Sequence, residues 1–228
     1  MTDLVVVTCT EKNEGNFKNT RIAKWYSEIQ ETHPNIKLDV IFNNQNGLPE
    51  NYNKKIKEYS NTNIEYMVFV HDDVYIDDLK IIQKLKHAHD TLKYDIIGLA
   101  GCLNPTIKSP TLWHIMGSRE NHRGFVNHYI KDDIQFATHF GYTPSRVAVI
   151  DGLFIGIHLP TILKSGWCFN EKYKFHHYDI ASCLDANKSK LKIGVYPIHV
   201  VHESHGLSSF EDPLWNKSNE IFLKEYGR

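Results

Sequence analysis

Glu65-Tyr66-Met67-Val68-Phe69-Val70-His71-Asp72-Asp73-Val74 decides the fold. Its apolar residues run without alternation, which marks a strand buried on both faces, and it turns acidic where the strand ends. Such a strand needs helices on both sides. The flanking segments supply them. Leu4 to Thr10 is a second buried strand, and Lys37 to Phe42 a third. Between these two, Thr20 to Thr32 carries Ile22, Trp25, Tyr26 and Ile29 at helical spacing, and Pro34 closes it. Asn53 to Tyr59 reads as a short helix before the central strand. After it comes a helix with Asp77 as N-cap and Leu79, Ile82 and Leu85 on one face, then a strand over Asp95 to Leu99. This β-α-β-α-β-α-β order predicts an α/β protein with a mostly parallel central sheet and helices on both faces.

Downstream the period is lost. Asn104 to Arg146 mixes Pro, Gly, His and aromatics, and reads as loops laid over the sheet. Arg146 to His158 returns as a strand that contains a charged residue, Asp151, followed by a short helix over Thr161 to Lys164 that stops at Gly166. Asp179 to Lys188 is helical, Lys192 to Val201 is a strand broken at Pro197, and Phe210 to Tyr226 is an amphipathic helix with Trp215, Phe222 and Tyr226 inward. No repeat, low-complexity tract or linker interrupts the chain, so residues 1–228 are expected to form a single domain.

Composition narrows the function. The chain has 228 residues, 41% of them hydrophobic and 12% aromatic, enough for a core that needs no metal or disulfide staple. Lys and Arg number 26 against 27 Asp and Glu, a balance that argues against bulk nucleic-acid binding. Four cysteines stand far apart with no Cys-x-x-Cys pair, which excludes a disulfide framework or a thiolate zinc site and fits a reducing compartment. The start lacks a signal-peptide pattern, and no apolar run reaches the roughly 20 residues of a membrane helix. A soluble cytoplasmic protein with no transmembrane segment is expected. Gly-x-Gly-x-x-Gly, Gly-Lys-Ser/Thr, His-Glu-x-x-His and Gly-x-Ser-x-Gly are all missing, which removes the main support for dinucleotide, P-loop, zincin and α/β-hydrolase chemistry.

Four polar signals remain. Asp72 and Asp73 stand at the carboxyl end of a buried strand, where open α/β sheets bind ligands and where carboxylates hold a divalent cation against a diphosphate. As turn or capping residues they would do no chemistry. Asp151 lies inside an apolar run and needs a partner or a raised pKa; a hydrogen-bonding Asp before Gly152 is the plainer alternative. Asp179 begins a helix, as a functional carboxylate or as an N-cap. The last is His199-Val200-Val201-His202-Glu203-Ser204-His205-Gly206, which offers a metal-ligating His or merely surface ones.

In this order the four signals resemble the GT-A glycosyltransferases, and more narrowly the short glycosyltransferase-like relatives of family 2. Val68 to Val74 is similar to a strand ending in an x-x-Asp variant of Asp-x-Asp, and Gly98-Leu99-Ala100-Gly101 to a Gly-x-x-Gly strand end. Val149 to Phe154 matches the family's Asp-Gly strand. Gly166-Trp167-Cys168-Phe169-Asn170-Glu171 through Tyr178-Asp179 matches its Gly-x-x-Phe-Asp-Glu segment and Glu-Asp motif, and Lys192 to His202 its closing strand and late His. The resemblance spans residues 4 to about 206. It departs at His71, which replaces the first Asp of the metal motif, at Tyr178, which replaces a Glu, and at Ala181 and Asp185 in the helix that follows.

The resemblance implies a GT-A fold, with residues 1–103 as the nucleotide-sugar-binding half and 104–228 as the acceptor-binding and catalytic half. It implies transfer of a sugar from a nucleoside diphosphate sugar to an acceptor hydroxyl with inversion. Asp179 would be the base, Asp73 and His202 would hold Mn²⁺ or Mg²⁺, and His71 would be a doubtful ligand. Donor contacts would fall to Thr8, Thr10, Glu11, Asn44, Asn53 and Asp72. Trp113, as a sugar-stacking face, and Asp151 would line the acceptor side. Two other readings stand beside this one: a nucleotidyltransferase, for whose Gly-rich basic loop Thr10 to Gly15 is a poor match, and a non-catalytic nucleotide-sugar or carbohydrate-binding protein kept open by His71 and Tyr178. A hydrolase would need His176, His177, His202 and His205 to converge, for which their spacing gives no reason.

Overall fold

The structure is a computed structural model describing residues 3–106, 110–129, 135–203 and 212–227. Strand β1 (Leu4–Cys9) leads through the single turn α1 (Glu14–Phe17) into α2 (Arg21–Ile29). Helix α2 starts where Thr20 caps it, accepting from the Ala23 N–H, and it buries Ile22, Trp25 and Ile29. Next come β2 (Ile36–Ile41) and α3 (Leu48–Tyr59). The latter begins five residues earlier than expected, because Pro49 fits the first turn, where no N–H is needed. Then follow β3 (Tyr66–Val70), the short β4 (Val74–Tyr75), α4 (Ile81–Asp90), β5 (Ile96–Gly98) and β6 (Ala100–Cys102). Helix α4 begins later than Asp77 suggests. Asp78 holds the preceding turn, taking the Lys80 N–H and the Lys84 ammonium, so Leu79 stays 63% exposed and the buried face is Ile81, Leu85 and Ala88.

The second half contains α5 (Trp113–Met116), β7 (His122–Tyr129), β8 (Gln135–Gly141), β9 (Ser145–Arg146), β10 (Val149–Ile150) and β11 (Phe154–His158). The chain continues through α6 (Leu159–Ser165), α7 (Tyr178–Lys188), β12 (Ile193–Val195), β13 (Val201–Glu203) and α8 (Pro213–Tyr226). The span 104–146 is therefore not only loop. Strands β7 and β8 form an antiparallel ribbon in it, hidden from the sequence because β8 exposes most of its residues and shows no apolar alternation. The expected start of the last helix, Phe210, lies outside the described residues, as do Ser204, His205 and Gly206.

The larger sheet has the order β2-β1-β3-β11-β5-β12-β9. Strand β1 runs parallel to β2 and β3, and β12 parallel to β5, but β11 is antiparallel to both its neighbours and β9 to β12. The expected mostly parallel sheet is thus corrected to a mixed one. The cause is local: β11 follows β10 through a three-residue turn rather than a crossover helix, and enters between β3 and β5 from the end at which they finish.

A smaller sheet, β10-β6-β7-β13-β4 with β8 paired to β7, stands at that same end. The passages of the chain between the sheets include those at 71–73, at Leu99 and at 151–153. Glycines permit the close approach there. A Cβ on Gly98 would lie 2.7 Å from Ile150 atoms, and one on Gly101 would lie 2.2 Å from the Val149 carbonyl. One continuous apolar cluster runs under both sheets. Among the described residues no helix is long and apolar enough to cross a membrane.

Candidate functional site

The first crossing builds a cation-type cluster. The His71 N–H donates to the Leu153 carbonyl, and the Val74 N–H returns to the His71 carbonyl, closing a tight turn at the end of β3. The Asp73 carbonyl accepts from the Glu203 N–H, and β13 pairs with β4 so that His202 lies opposite Val74. His71, Asp73 and His202 then present ligand atoms that all lie within 4.8 Å of one another, and His202 Nε2 is 3.3 Å from Asp73 Oδ2. Burial pushes the Asp73 carboxyl up, but the hydrogen bond and charge of His202 outweigh it, and the group lies below its ordinary value. Burial likewise pushes His202 down, and the Asp73 carboxylate more than restores it, to above its ordinary value. His71, pushed down by burial, favours the neutral imidazole.

The residues present fit a divalent ion. His71 Nε2, Asp73 Oδ1 and His202 Nδ1 are buried without hydrogen-bond partners, a costly state for polar atoms. Imidazole nitrogen and carboxylate oxygen are donors that such ions take up. Asp73 and His202 were expected to meet here. His71 was discounted because it replaces an acid, yet the turn places it in the same cluster; its signal in the sequence was its position, directly at the end of the buried strand. Phe175, 56% exposed, stacks on its ring at 5.9 Å between centroids.

The crossing at 151–153 links this cluster to Asp179. Asp151 Oδ1 accepts the Leu153 N–H at 3.0 Å, which folds the turn, and the Asp151 N–H bonds to the Ala100 carbonyl. The Gly152 N–H donates to Asp179 Oδ2 at 2.9 Å, while Tyr178 donates its hydroxyl to the Gly152 carbonyl at 2.8 Å. No side chain fits at Gly152, since a Cβ there would lie 2.6 Å from the Tyr178 hydroxyl and 3.0 Å from Asp179 Cβ. Three consecutive residues thus touch His71 on one side and Asp179 on the other.

Asp179 is not the N-cap of α7. That position belongs to His177, with φ +67°, while Asp179 sits in the first turn and also accepts the Ile180 N–H at 2.8 Å. Burial, then the neighbouring charge of Asp151, pushes its carboxyl up to about 7 against the pull of those backbone hydrogen bonds. A carboxylate poised there is suited to take up a proton near neutrality.

A cleft of 860 Å³ opens at the end of β1, lined by Thr10, Glu11, Asn44 and Asp72, and by Lys12, Lys172, Lys174, Lys217 and Phe175. Asp72 faces this cleft rather than the cation cluster: Thr10 Oγ1 lies 2.6 Å and Lys12 Nζ 2.8 Å from its Oδ2. Asn44 Oδ1 accepts from Asn51 Nδ2 at 2.7 Å, which orders the loop before α3. Thr8 is buried and not part of the lining. Asn53 is likewise absent from it, its amide bonded to the Phe169 backbone on both sides and to Glu171 Oε1.

Trp113 corrects an expectation. It is 2% exposed and packed among His114, His122 and Phe140, so its ring has no free face for a sugar. Sequence alone could not separate a buried from an exposed Trp in a segment without period. His176 and His177 do not join His202 either. They bond to Asp212 and Ser218 at the foot of α8, so the convergence that the hydrolase reading would need is not found among the described residues.

Residues 6–226 match the model of a family described as "Glycosyltransferase like family". No curated protein sequence matches the chain. Among solved structures, A197 from STIV aligns at 12% identity and a TM-score of 0.51, over 93% of this chain and 100% of its own. S. aureus TarS 1-349 in complex with UDP-GlcNAc aligns at 12% identity and a TM-score of 0.54, over 99% of this chain and 66% of its own. At such identity the likeness to both is one of fold.

Proposed function

The chain belongs to the glycosyltransferase-like family, and on that premise we propose that it moves a sugar from a nucleoside diphosphate sugar to an acceptor hydroxyl, with a divalent ion and with inversion at the anomeric carbon. The fold is the GT-A fold that the motif order implies, with its sheet mixed. The observation that carries the reading is the 151–153 turn, which bonds to His71 beside the cation cluster and to Asp179 beyond it. That TarS was captured with UDP-GlcNAc supports a nucleotide-sugar donor here.

The donor lies in the 860 Å³ cleft. Thr10, Glu11, Asn44 and Asp72 face its nucleoside and sugar, and Lys12, Lys174 and Lys217 supply positive charge against its phosphates. Thr8 supports this wall from beneath, and Asn53 holds the 169–171 segment in place. His71, Asp73 and His202 would hold the ion, which would supply Lewis-acid offset of the charge on the departing diphosphate.

Asp179 accepts the proton of the acceptor hydroxyl as that oxygen bonds to the anomeric carbon. The bond from that carbon to the phosphate oxygen breaks, and the diphosphate leaves with the electron pair. One displacement with the base opposite the leaving group inverts the configuration. Asp151 serves the acceptor side and adds to burial in raising the Asp179 carboxyl towards neutrality. The acceptor is a carbohydrate or another hydroxyl compound.

Incubating the protein with a panel of nucleoside diphosphate sugars, with Mn²⁺ or with chelator, tests the proposal. At least one donor is expected to bind more tightly with the ion and to yield product of inverted anomeric configuration by NMR. Failure of every donor to bind, or product of retained configuration, contradicts it.

A further inference from the structure

The donor set at the rim differs from an all-oxygen one, and this has a chemical consequence. Of the two acids that follow β3, Asp72 is turned into the cleft and held by Thr10 and Lys12. Asp151 is not among the clustered ligands, and its Oδ1 accepts the Leu153 N–H. What faces the ion is one carboxylate, Asp73, and two imidazoles, His71 and His202. Magnesium binds through oxygen, usually one or two carboxylates plus substrate phosphates, and it loses its waters reluctantly. Imidazole suits zinc, iron, nickel and copper, and divalent affinities at mixed nitrogen and oxygen sites rise from manganese through iron and cobalt.

We propose that His71 makes this site selective for transition ions over Mg²⁺: Co²⁺, Fe²⁺ and Zn²⁺ bind tightly, Mn²⁺ least tightly of these four, and Mg²⁺ does not compete. The proposal rests on the reading that this cluster is the donor's metal site, and it takes the Mn²⁺ side of the Mn²⁺-or-Mg²⁺ expectation. Three buried atoms support it: His71 Nε2, Asp73 Oδ1 and His202 Nδ1 have no hydrogen-bond partner. Three protein ligands also leave coordination positions open for water or phosphate, as catalytic rather than structural sites do. The thiols stand apart from the cluster, so it is no cysteine zinc site.

The test is equilibrium binding on the whole chain without substrate. Co²⁺ is titrated and followed by its visible absorption, then challenged with Mg²⁺, Mn²⁺ and Zn²⁺. The wild type is expected to bind Co²⁺ at least about a hundredfold more tightly than Mg²⁺, with Zn²⁺ displacing it and Mn²⁺ displacing it less readily. In His71→Asp the Co²⁺-to-Mg²⁺ ratio is expected to fall by about tenfold or more, as an oxygen replaces a nitrogen. His71→Ala, a smaller change, is expected to shift the Co²⁺ spectrum and weaken binding. Displacement of Co²⁺ by equimolar Mg²⁺ from the wild type overturns the proposal whatever the variants do. So does an unchanged ratio in a folded His71→Asp protein, or an unchanged spectrum in His71→Ala. Selective binding by a protein that takes no nucleotide sugar would leave this inference standing and remove the transferase reading. Equal binding of Mg²⁺ by an active transferase would do the reverse.

Discussion

Asp179 carries the largest consequence of any single side chain. Its carboxyl stands at about 7 rather than 3.8 because burial and Asp151 both disfavour its charge. A base must be ionised to accept a proton, so kcat/KM is expected to be low in acid, to rise through an apparent pKa near 7 and to level off above it. Linkage runs the other way. Stability gained from holding this proton is fully present below the ordinary carboxylate value and is lost as pH climbs through about 7. A pH profile flat from 5 to 8 would be inconsistent with Asp179 as base. Asp73 and His202 were legible in the sequence because each follows an apolar run, where a polar group needs a reason, whereas Asp179 was legible only through the motif order and the resemblance it carries. His71 was harder to read. A histidine in an acid's place looks like a lost ligand until the turn shows where its ring goes.

Among the elements, α8 was legible as an amphipathic helix, but not what it fastens. It lies against the segment that runs into α7. His176 Nε2 meets Asp212 Oδ2 at 2.9 Å, Ser218 Oγ bonds to the His176 carbonyl at 2.9 Å and to His177 Nδ1 at 2.7 Å, and Lys172 pairs with Glu225. Phe222 is fully buried beneath. Asp212 also caps α8 through the Leu214 N–H at 2.8 Å. Loss of such a cap costs about 1 kcal/mol, so Asp212→Ala is expected to lower Tm by roughly 2–4 °C for a chain of this size. Calorimetry of the two proteins checks this, and an unchanged Tm would mean that the cap and its His176 contact contribute nothing. The β7–β8 ribbon escaped the sequence for a different reason. Periodicity reports a face packed on a core, and β8 has little of its surface buried.

For the molecule as a whole, the longer helices and strands of the first hundred residues, unlike α1 and β4, could be read because each buries an apolar face of its own. The second sheet could not. Its strands β4, β6, β10 and β13 are two or three residues long and exist by pairing with one another, a relation that no local pattern encodes. The expected division into a donor half and a catalytic half also simplifies the molecule. The cleft takes Lys174, Phe175 and Lys217 from the second half, and the cation cluster takes His202. Both halves meet at the rim where the chain crosses between sheets, and sugar transfer as proposed requires that rim to be one reaction site. The decisive measurement is single-turnover sugar transfer by Asp179→Asn, with donor affinity determined on the same protein. Transfer is expected to slow by about a hundredfold or more while the donor binds as before; transfer at the wild-type rate would contradict the account.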